Sequence, residues 1–319
     1  MADPPAFLDR MRPAVPDIVV PRAVLPFFLP RCQVRGRLVR LGPLAEVLLA
    51  RHRHPPVIAS LAGQALALVA GLAISLKFRG SFSLQAKGDG PVPHLLVDCT
   101  DGGALRFYAR TDPDRLGRLL AADPAPPASA LLGQGYLAFT VDPRTGARPH
   151  QGIVSISGES FEEMALAYFR ESVQLAGLVR LAASPLPVGW RAGALILERI
   201  PKLGGAEAPE ETAESEDAWR TAIALVSTLS DSELLDDGLA PERLLYRLFH
   251  GEGITADRPR SLAYGCRCTR ERLSGVLAGF AADDLDHMAT DGTITVTCEF
   301  CNHDFRFLRS EFPDRGAAD

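Results

Sequence analysis

The sequence lacks most of the features by which a chain announces its class. Cysteine is scarce: six in 319 residues are far too few for a secreted scaffold held together by disulfides. Charge of one sign is not in excess. The formal net charge is −5, which gives no overall reason to expect nucleic acid as a partner. No phosphate-binding GxxxxGK[ST] loop occurs and no internal repeat is visible. The scattered histidines form no nucleophile–base arrangement, and His52 and His54 read as a solvated loop. The N-terminal MADPPAFLDRMRP has acids and prolines where a signal peptide would carry a basic start and an apolar run, so no export signal is expected. Val57 to Leu76 is a long uncharged run, but it is built largely from Ala and Gly, contains Ser60, Gln64 and Ser75, and has basic flanks on both sides (Arg51, Arg53, Lys77, Arg79). It reads as a buried core helix, not a membrane span. These absences leave a soluble protein, expected in the cytoplasm with its thiols reduced. Its apolar fraction of 47% is ample for a real core.

What is present is a division by charge. Residues 1–200 hold 22 basic and 16 acidic side chains, residues 201–253 hold 4 and 12, and residues 254–319 hold 8 and 11. A mildly basic body (1–200) is thus joined through an acidic linker (201–253) to a C-terminal module (254–319). In the body, Gln33–Leu41, Phe78–Ala86, His94–Asp98, Ala104–Arg110, Tyr136–Asp142, Gly152–Ser157 and Trp190–Ile200 have strand patterning. Lys87-Gly88-Asp89-Gly90-Pro91 reads as a turn whose glycines supply positive φ. Ser160-Phe-Glu-Glu163 reads as a capping box opening a helix to about Val173. In the linker, Gly204–Asp217 is acidic, without large apolar residues, and reads as loop. Trp219–Leu229, a capping box at Ser230–Glu233 and Ala240–Phe249 then predict short helices that depend on docking. Electrostatics would assist that docking on the basic body. Apolar contacts from Leu225, Val226, Leu229, Leu244, Leu245 and Phe249 should dominate it, because exposed ion pairs contribute little.

Four of the six cysteines cluster: Cys266-Arg-Cys268, a helix-sized spacer, then Cys298-Glu-Phe-Cys301. Two close thiol pairs in a reducing compartment are what a tetrahedral Zn(II) site needs. Thr269 is placed to cap a first spacer helix and Asp283 a second. Asp291-Gly292 turns into the strand Thr293–Thr297, and Asp304–Phe307 returns. Haem attachment would need His where Asn302 stands, and a thioredoxin-like motif would sit at a strand–helix junction. His303 and His287 are the alternative ligands by position but read first as surface residues, and Cys32 and Cys99 read as small buried hydrophobes. A bound metal keeps the sulfurs deprotonated, the form that oxidants attack, and oxidation to local disulfides would eject it. The spacing fits a sensor or a plain structural staple.

The chain resembles the 33 kDa chaperonin family, the redox-regulated bacterial chaperones also called heat shock protein thirty-three. The resemblance rests on Cys266-Arg-Cys268-Thr-Arg-Glu-Arg, Val296-Thr-Cys298-Glu-Phe-Cys301-Asn and the aromatics Phe305 and Phe307. In the body it rests on Arg35-Gly36-Arg37, Leu76-Lys77-Phe78-Arg79-Gly80, Gly88-Asp89-Gly90-Pro91, Gln151-Gly152-Ile153-Val154 and Tyr168-Phe169. The chain departs from the family pattern at Val173, where Glu is usual, at Ala194, where Gly is usual, and at Thr269, where Ser is usual. The resemblance implies a non-enzymatic, ATP-independent holdase with one Zn(II) per chain held by Cys266, Cys268, Cys298 and Cys301 in an inactive, monomeric reduced state. It further implies that oxidants with unfolding conditions form disulfides within Cys266/Cys268 and Cys298/Cys301, release zinc and unfold the linker. The active, often dimeric form then binds unfolding client proteins. The expected fold class is α+β: a mixed body with a large, mainly antiparallel sheet, a helical linker and a small four-cysteine zinc module. The competing classes are a zinc-ribbon nucleic-acid regulator, disfavoured by the −3 charge of residues 254–319, and a thiol oxidoreductase using Cys298/Cys301.

Overall fold

The computed structural model describes residues 18–74, 80–143, 148–200 and 213–312. Eleven strands form one sheet. In chain order they are β1 (Val19–Leu29), β2 (Val34–Arg40), β3 (Gly80–Gly88), β4 (His94–Thr100), β5 (Ala104–Arg110), β6 (Gly135–Pro143), β7 (His150–Ser155), β8 (Gly177–Leu186), β9 (Gly189–Arg199), β10 (Thr255–Ala256) and β11 (Arg260–Tyr264). Their order across the sheet is β7-β6-β3-β4-β5-β11-β1-β2-β9-β8, with β10 also on β1. Every pairing is antiparallel except β5–β11, where Ala104 and Leu105 run parallel to Ala263 and Tyr264. The expected α+β class with a large, mainly antiparallel sheet is what the chain adopts.

Side chains alternate across the sheet, and the two faces are covered differently. Helices α1 (Pro43–Leu49) and α2 (Pro56–Ala73) pack with the inner face, where Val39, Leu84, Val97, Phe107, Phe139, Ala194 and Ile196 join Leu66, Val69 and Ala70 in one core. The long apolar run is therefore a buried helix among the described residues; Ser75–Arg79 lie outside them. The body also has α3 (Pro113–Ala122), α4 (Ala128–Leu132) and α5 (Phe161–Tyr168), the last continued by a π-helical turn over Phe169–Val173.

The opposite parity of the same strands, Leu25, Phe27, Leu29, Val34, Leu38, Ala182, Leu195 and Leu197, faces α6 (Ala213–Ser227), α7 (Asp231–Leu235) and α8 (Pro241–Phe249). Of the six linker residues expected to dominate this contact, Val226, Leu229, Leu244, Leu245 and Phe249 are buried in it, and Leu225 packs against its edge. Phe249 stacks on Phe27 with ring centroids 5.6 Å apart.

The basic body and the acidic linker also meet in ion pairs. Arg22 pairs with Glu242, Arg31 with Glu214 and Glu252, Arg180 with Asp231, Arg191 with Asp237 and Arg199 with Glu216. Arg40 reaches further in. Its guanidinium is buried and donates to the carbonyls of Leu234 (3.0 Å), Glu233 (2.6 Å) and Leu239. Burial pushes its pKa down from the ordinary arginine value, and the three carbonyls replace the water it has lost.

Several local readings need correction. Helix α6 begins at Ala213, so Ala213–Asp217 is helix rather than loop, its Glu214 and Glu216 sitting in the first turn where acids suit the helix dipole. Residues 201–212 lie outside the described residues. Gly88 and Gly90 do not have positive φ. They are glycines because a Cβ on Gly88 would meet the Leu132 carbonyl oxygen at 2.0 Å and one on Gly90 the Gly133 nitrogen at 2.5 Å. Ser160 does cap Glu163 N, but the Glu163 carboxylate accepts from Glu159 N, so the reciprocal half of the box is displaced by one residue. The boundary drawn at residue 254 does not coincide with the edge of the large sheet, because β10 and β11 belong to it.

Candidate metal centre

Strand β11 delivers the first thiol pair. It is inserted between β5 and β1, and Gly265 continues its ladder by donating to the Leu105 carbonyl at 2.8 Å. A Cβ on Gly265 would lie 2.6 Å from the backbone of Ala104 and Leu105, so only glycine lets the chain run this close to β5. Cys266 follows immediately. Arg267 donates to Asp98 at 3.0 Å, and Arg106 donates to the same carboxylate oxygen at 3.1 Å, which ties the CxC segment to β4 and β5. After Cys268, Thr269 accepts from Arg272 N at 3.2 Å and caps α9 (Arg270–Leu277) as expected. Asp283 does not cap the next helix, α10 (Ala282–Met288). Ala281 is the capping residue, and Asp283 sits in the first turn.

A small sheet delivers the second pair. Its strands are β12 (Ala289–Thr290), β13 (Thr293–Cys298) and β14 (His303–Leu308). Asp291 and Gly292 both have positive φ in the expected turn. Between β13 and β14, the Cys298 carbonyl accepts from Cys301 N (3.3 Å) and Asn302 N (2.7 Å), and Asn302 adopts φ 51°. This knuckle turns both sulfurs the same way.

The four Sγ atoms lie within 4.8 Å of one another. Cys266 Sγ is 3.3 Å from Cys268 and 3.6 Å from Cys298, and Cys268 Sγ is 3.4 Å from Cys301. These separations exceed a disulfide bond of about 2.05 Å and approach the tetrahedral edge of about 3.8 Å implied by Zn–S bonds of about 2.3 Å. Three of the cysteines are buried and Cys298 is partly so. The hydrogen bonds that link the four sulfurs split their pKa values: Cys298 and Cys266 are pushed down, Cys266 to about 7, and Cys268 and Cys301 up. An all-sulfur, largely buried set of four donors fits a soft or borderline divalent cation and has no place for a hard one. The four cysteines can hold a metal ion; His303 and His287 are not among them.

The knuckle rests on the body. Arg51 donates to the Cys301 carbonyl at 3.2 Å, His52 Nε2 donates to the Phe300 carbonyl at 3.3 Å, and Asn302 donates to the Arg51 carbonyl at 2.9 Å. The Phe300 ring lies 4.1 Å beneath the Arg106 guanidinium. His52 is therefore not in a solvated loop. It is half-buried, stacked on His54 with ring centroids 5.6 Å apart and with the Phe107 ring tilted against it at 4.5 Å, and burial with the neighbouring His54 pushes its pKa down to about 4.

A family model described as Hsp33 protein matches residues 23–308. The chain belongs to the Hsp33 family. It is 36% identical over 293 residues to the 33 kDa chaperonin of Caulobacter vibrioides (strain NA1000 / CB15N), covering 90% of this chain and 95% of that one. It is 34% identical over 283 residues to the 33 kDa chaperonin of Pseudomonas fluorescens (strain SBW25), covering 88% and 89%. The crystal structure of the 33 kDa chaperonin from Thermotoga maritima shares the fold, with a TM-score of 0.71 at 19% identity over 91% of this chain and 96% of that one. This Hsp33 chain is accordingly a chaperone.

All four cysteines singled out by spacing come together in this Hsp33 fold. Cys32 and Cys99 are fully buried elsewhere. Sequence reasoning missed the seat of the knuckle, formed by Arg51, His52, Asp98, Arg106 and Arg267. The only signal was the aromatic Phe300 inside the CxxC turn, a large apolar group on a turn that would otherwise face water.

Proposed function

We propose that this chain is a redox-regulated, ATP-independent holdase whose Cys266, Cys268, Cys298 and Cys301 hold one Zn(II) in the reduced state. The observation that carries this reading is the placement of the four sulfurs at the end of β11, with the knuckle seated on the same sheet that the linker helices cover. When bound, zinc holds the four sulfurs as thiolates and ties the two halves of the module together. The Cys266 and Cys268 sulfurs need approach by little more than 1 Å to bond, starting from 3.3 Å. With hydrogen peroxide as oxidant, two thiols give one disulfide and two waters, so closing Cys266/Cys268 and Cys298/Cys301 consumes two peroxides.

With its sulfurs paired off, the module loses the cross-link on which so small a sheet depends. The Phe300 and Cys301 carbonyls then lose their fixed position over Arg51 and His52. The acidic linker, itself made of short helices, is freed from the outer sheet face, and Leu25, Phe27, Leu29, Leu38, Leu195 and Leu197 become available to apolar segments of unfolding proteins. In this reading the reduced form is monomeric, the oxidised form dimeric, and the compartment the cytoplasm.

The test is one pair of measurements on the full-length protein, before and after peroxide at elevated temperature: zinc released to a chromogenic chelator, and suppression of aggregation of a heat-unfolded client. Zinc release together with newly gained suppression supports the switch. Suppression equally strong in the reduced, zinc-loaded protein, or absent in both states, overturns it.

A further inference from the structure

The metal centre makes no use of Cys32, yet its surroundings are not those of an ordinary core thiol. It lies in the turn between β1 and β2, fully buried, in the apolar cluster that joins the outer sheet face to α6, α7 and α8. Its polar contact is the Leu29 carbonyl, 3.9 Å from Sγ. Arg31, beside it in the chain, donates to the Gly251 carbonyl at 3.2 Å and lies 3.9 Å from Glu252 and 3.8 Å from Glu214. One arginine thus touches both ends of the described linker. Glu252 is only 6% exposed, and its Oε2 is buried with no hydrogen-bond partner among the described residues.

Burial first, and the Glu252 carboxylate second, push the Cys32 thiol up to about 11, while Arg199 acts the other way. Arg199 is engaged by linker groups: Glu216 at 2.6 Å and the Trp219 ring at 5.9 Å. The anion, Glu252, belongs to the linker, as do Trp219, Leu245 and Phe249 of the apolar cluster in which Cys32 is buried. The cation, Arg199, belongs to the body. When the linker leaves, the thiol loses that apolar company and its anion together and keeps its cation.

We propose that Cys32 is a linker-gated thiol, closed while residues 213–252 are docked and, on their release, a site of mixed-disulfide formation with anionic low-molecular-weight disulfides of the glutathione disulfide kind. The proposal rests on the reading of the linker as releasable. In the step, the Cys32 thiolate attacks one sulfur of the disulfide. The new S–S bond forms as the old one breaks, and the departing thiolate takes up the proton that Cys32 gave to solvent. Nothing is consumed beyond the disulfide itself.

Cys99 is the internal control. It is equally buried and its thiol is pushed up by burial, but it lies in the core beneath α2, away from the linker.

The test uses full-length, reduced, zinc-loaded protein and its Leu245→Glu variant, which sets a carboxylate in the linker–sheet core and undocks the linker without oxidant. Both are incubated with glutathione disulfide at neutral pH, and adducts on the Cys32 and Cys99 peptides are quantified by mass spectrometry. Tryptic cleavage after Arg220 and Arg243 reports linker release. A second route to release is the wild-type protein treated with peroxide at elevated temperature.

The expected result is modification of Cys32 at least about tenfold faster once the linker is released, because a thiol returning toward about 8.5 gains more in thiolate fraction than it loses in nucleophilicity. Cys99 should not change. Cys32 rates that stay equal despite released linker overturn the proposal, as does Cys99 rising in step with Cys32. If Leu245→Glu opens Cys32 but peroxide does not release the linker, the gate stands and the redox reading falls. If peroxide releases the linker and Cys32 stays closed, the reverse holds.

Discussion

The large sheet has two apolar surfaces to hide, and the chain hides them in opposite ways. Over the inner face lies α2, one uninterrupted helix of 18 residues, 14 of them buried and none charged. Over the outer face of β1, β2, β9 and β8 lie three helices of 15, 5 and 9 residues. Each of these buries one side and turns the other to water, with ion pairs at the rim. Beside them, the outer face of β3 and β5 presents Ser81, Ser83, Gln85, Arg106 and Arg110, none of them buried, and needs no helical cover.

The contrast teaches where a removable cover can exist. Lifting α2 would return only apolar surface to water, on both sides of the break. Lifting α6–α8 returns a segment with eight acids to a solvent that suits them, and helices this short keep little structure once undocked. The two covers differ less in the sheet they protect than in their own outer side.

The comparison breaks most readily at Phe249. It is fully buried and stacked on Phe27, and Phe249→Ala should cost about 3–5 kcal/mol of linker docking. The expected outcome is tryptic cleavage of the linker and aggregation suppression without oxidant, with the thermal transition of the body almost unchanged. A body that melts earlier by the same amount would mean the two covers are one cooperative unit. Arg40→Leu comes next, because it leaves the Glu233, Leu234 and Leu239 carbonyls without their donor. It should cost about 1.5–3 kcal/mol, seen as faster amide exchange confined to residues 231–240.

Phe300→Ala removes the ring beneath Arg106 and about 0.5–2 kcal/mol of knuckle seating. It should hasten peroxide-driven zinc release while leaving zinc content in the reduced protein intact. Added sodium chloride should have the smallest effect. The rim pairs contribute about 0–1 kcal/mol each and are screened, so linker proteolysis should quicken by less than tenfold. Complete insensitivity to salt would remove electrostatics from the account of docking.

The metal centre was legible because chemistry ties it to spacing: two thiol pairs, a capping Thr269 and an Asp291-Gly292 turn each carry a local signal. The meander of β3, β4 and β5 was legible because one of its faces is solvated, which makes residues alternate. β1 was not, because Pro21 and Pro26 argue against a strand. The structure accommodates Pro21 where the β1–β11 register shifts between Val20 and Val24. β11 has five residues and a parallel partner half a chain length away, so no local pattern could reveal it. The seat of the knuckle was hidden for the same reason. Arg51 and His52 look solvated until residues 300–302 arrive from the far end of the chain.

Because β11 fills the gap between β5 and β1, the order of synthesis matters to this molecule. A ribosome that has delivered residues 1–259 has made every other strand of the large sheet, yet among the described residues no strand pairing joins its two parts. Until Arg260–Tyr264 emerges, β5 and the Val19–Val24 part of β1 each present an unpaired edge of the kind that captures strands from other chains, and a contact of such sequence separation closes slowly. The linker helices, already synthesised, can cover their face of the sheet before its halves are joined. The nascent chaperone can thus hide its apolar surface first and complete its sheet last, with Cys266, the first of the four clustered cysteines, two residues after the closing strand.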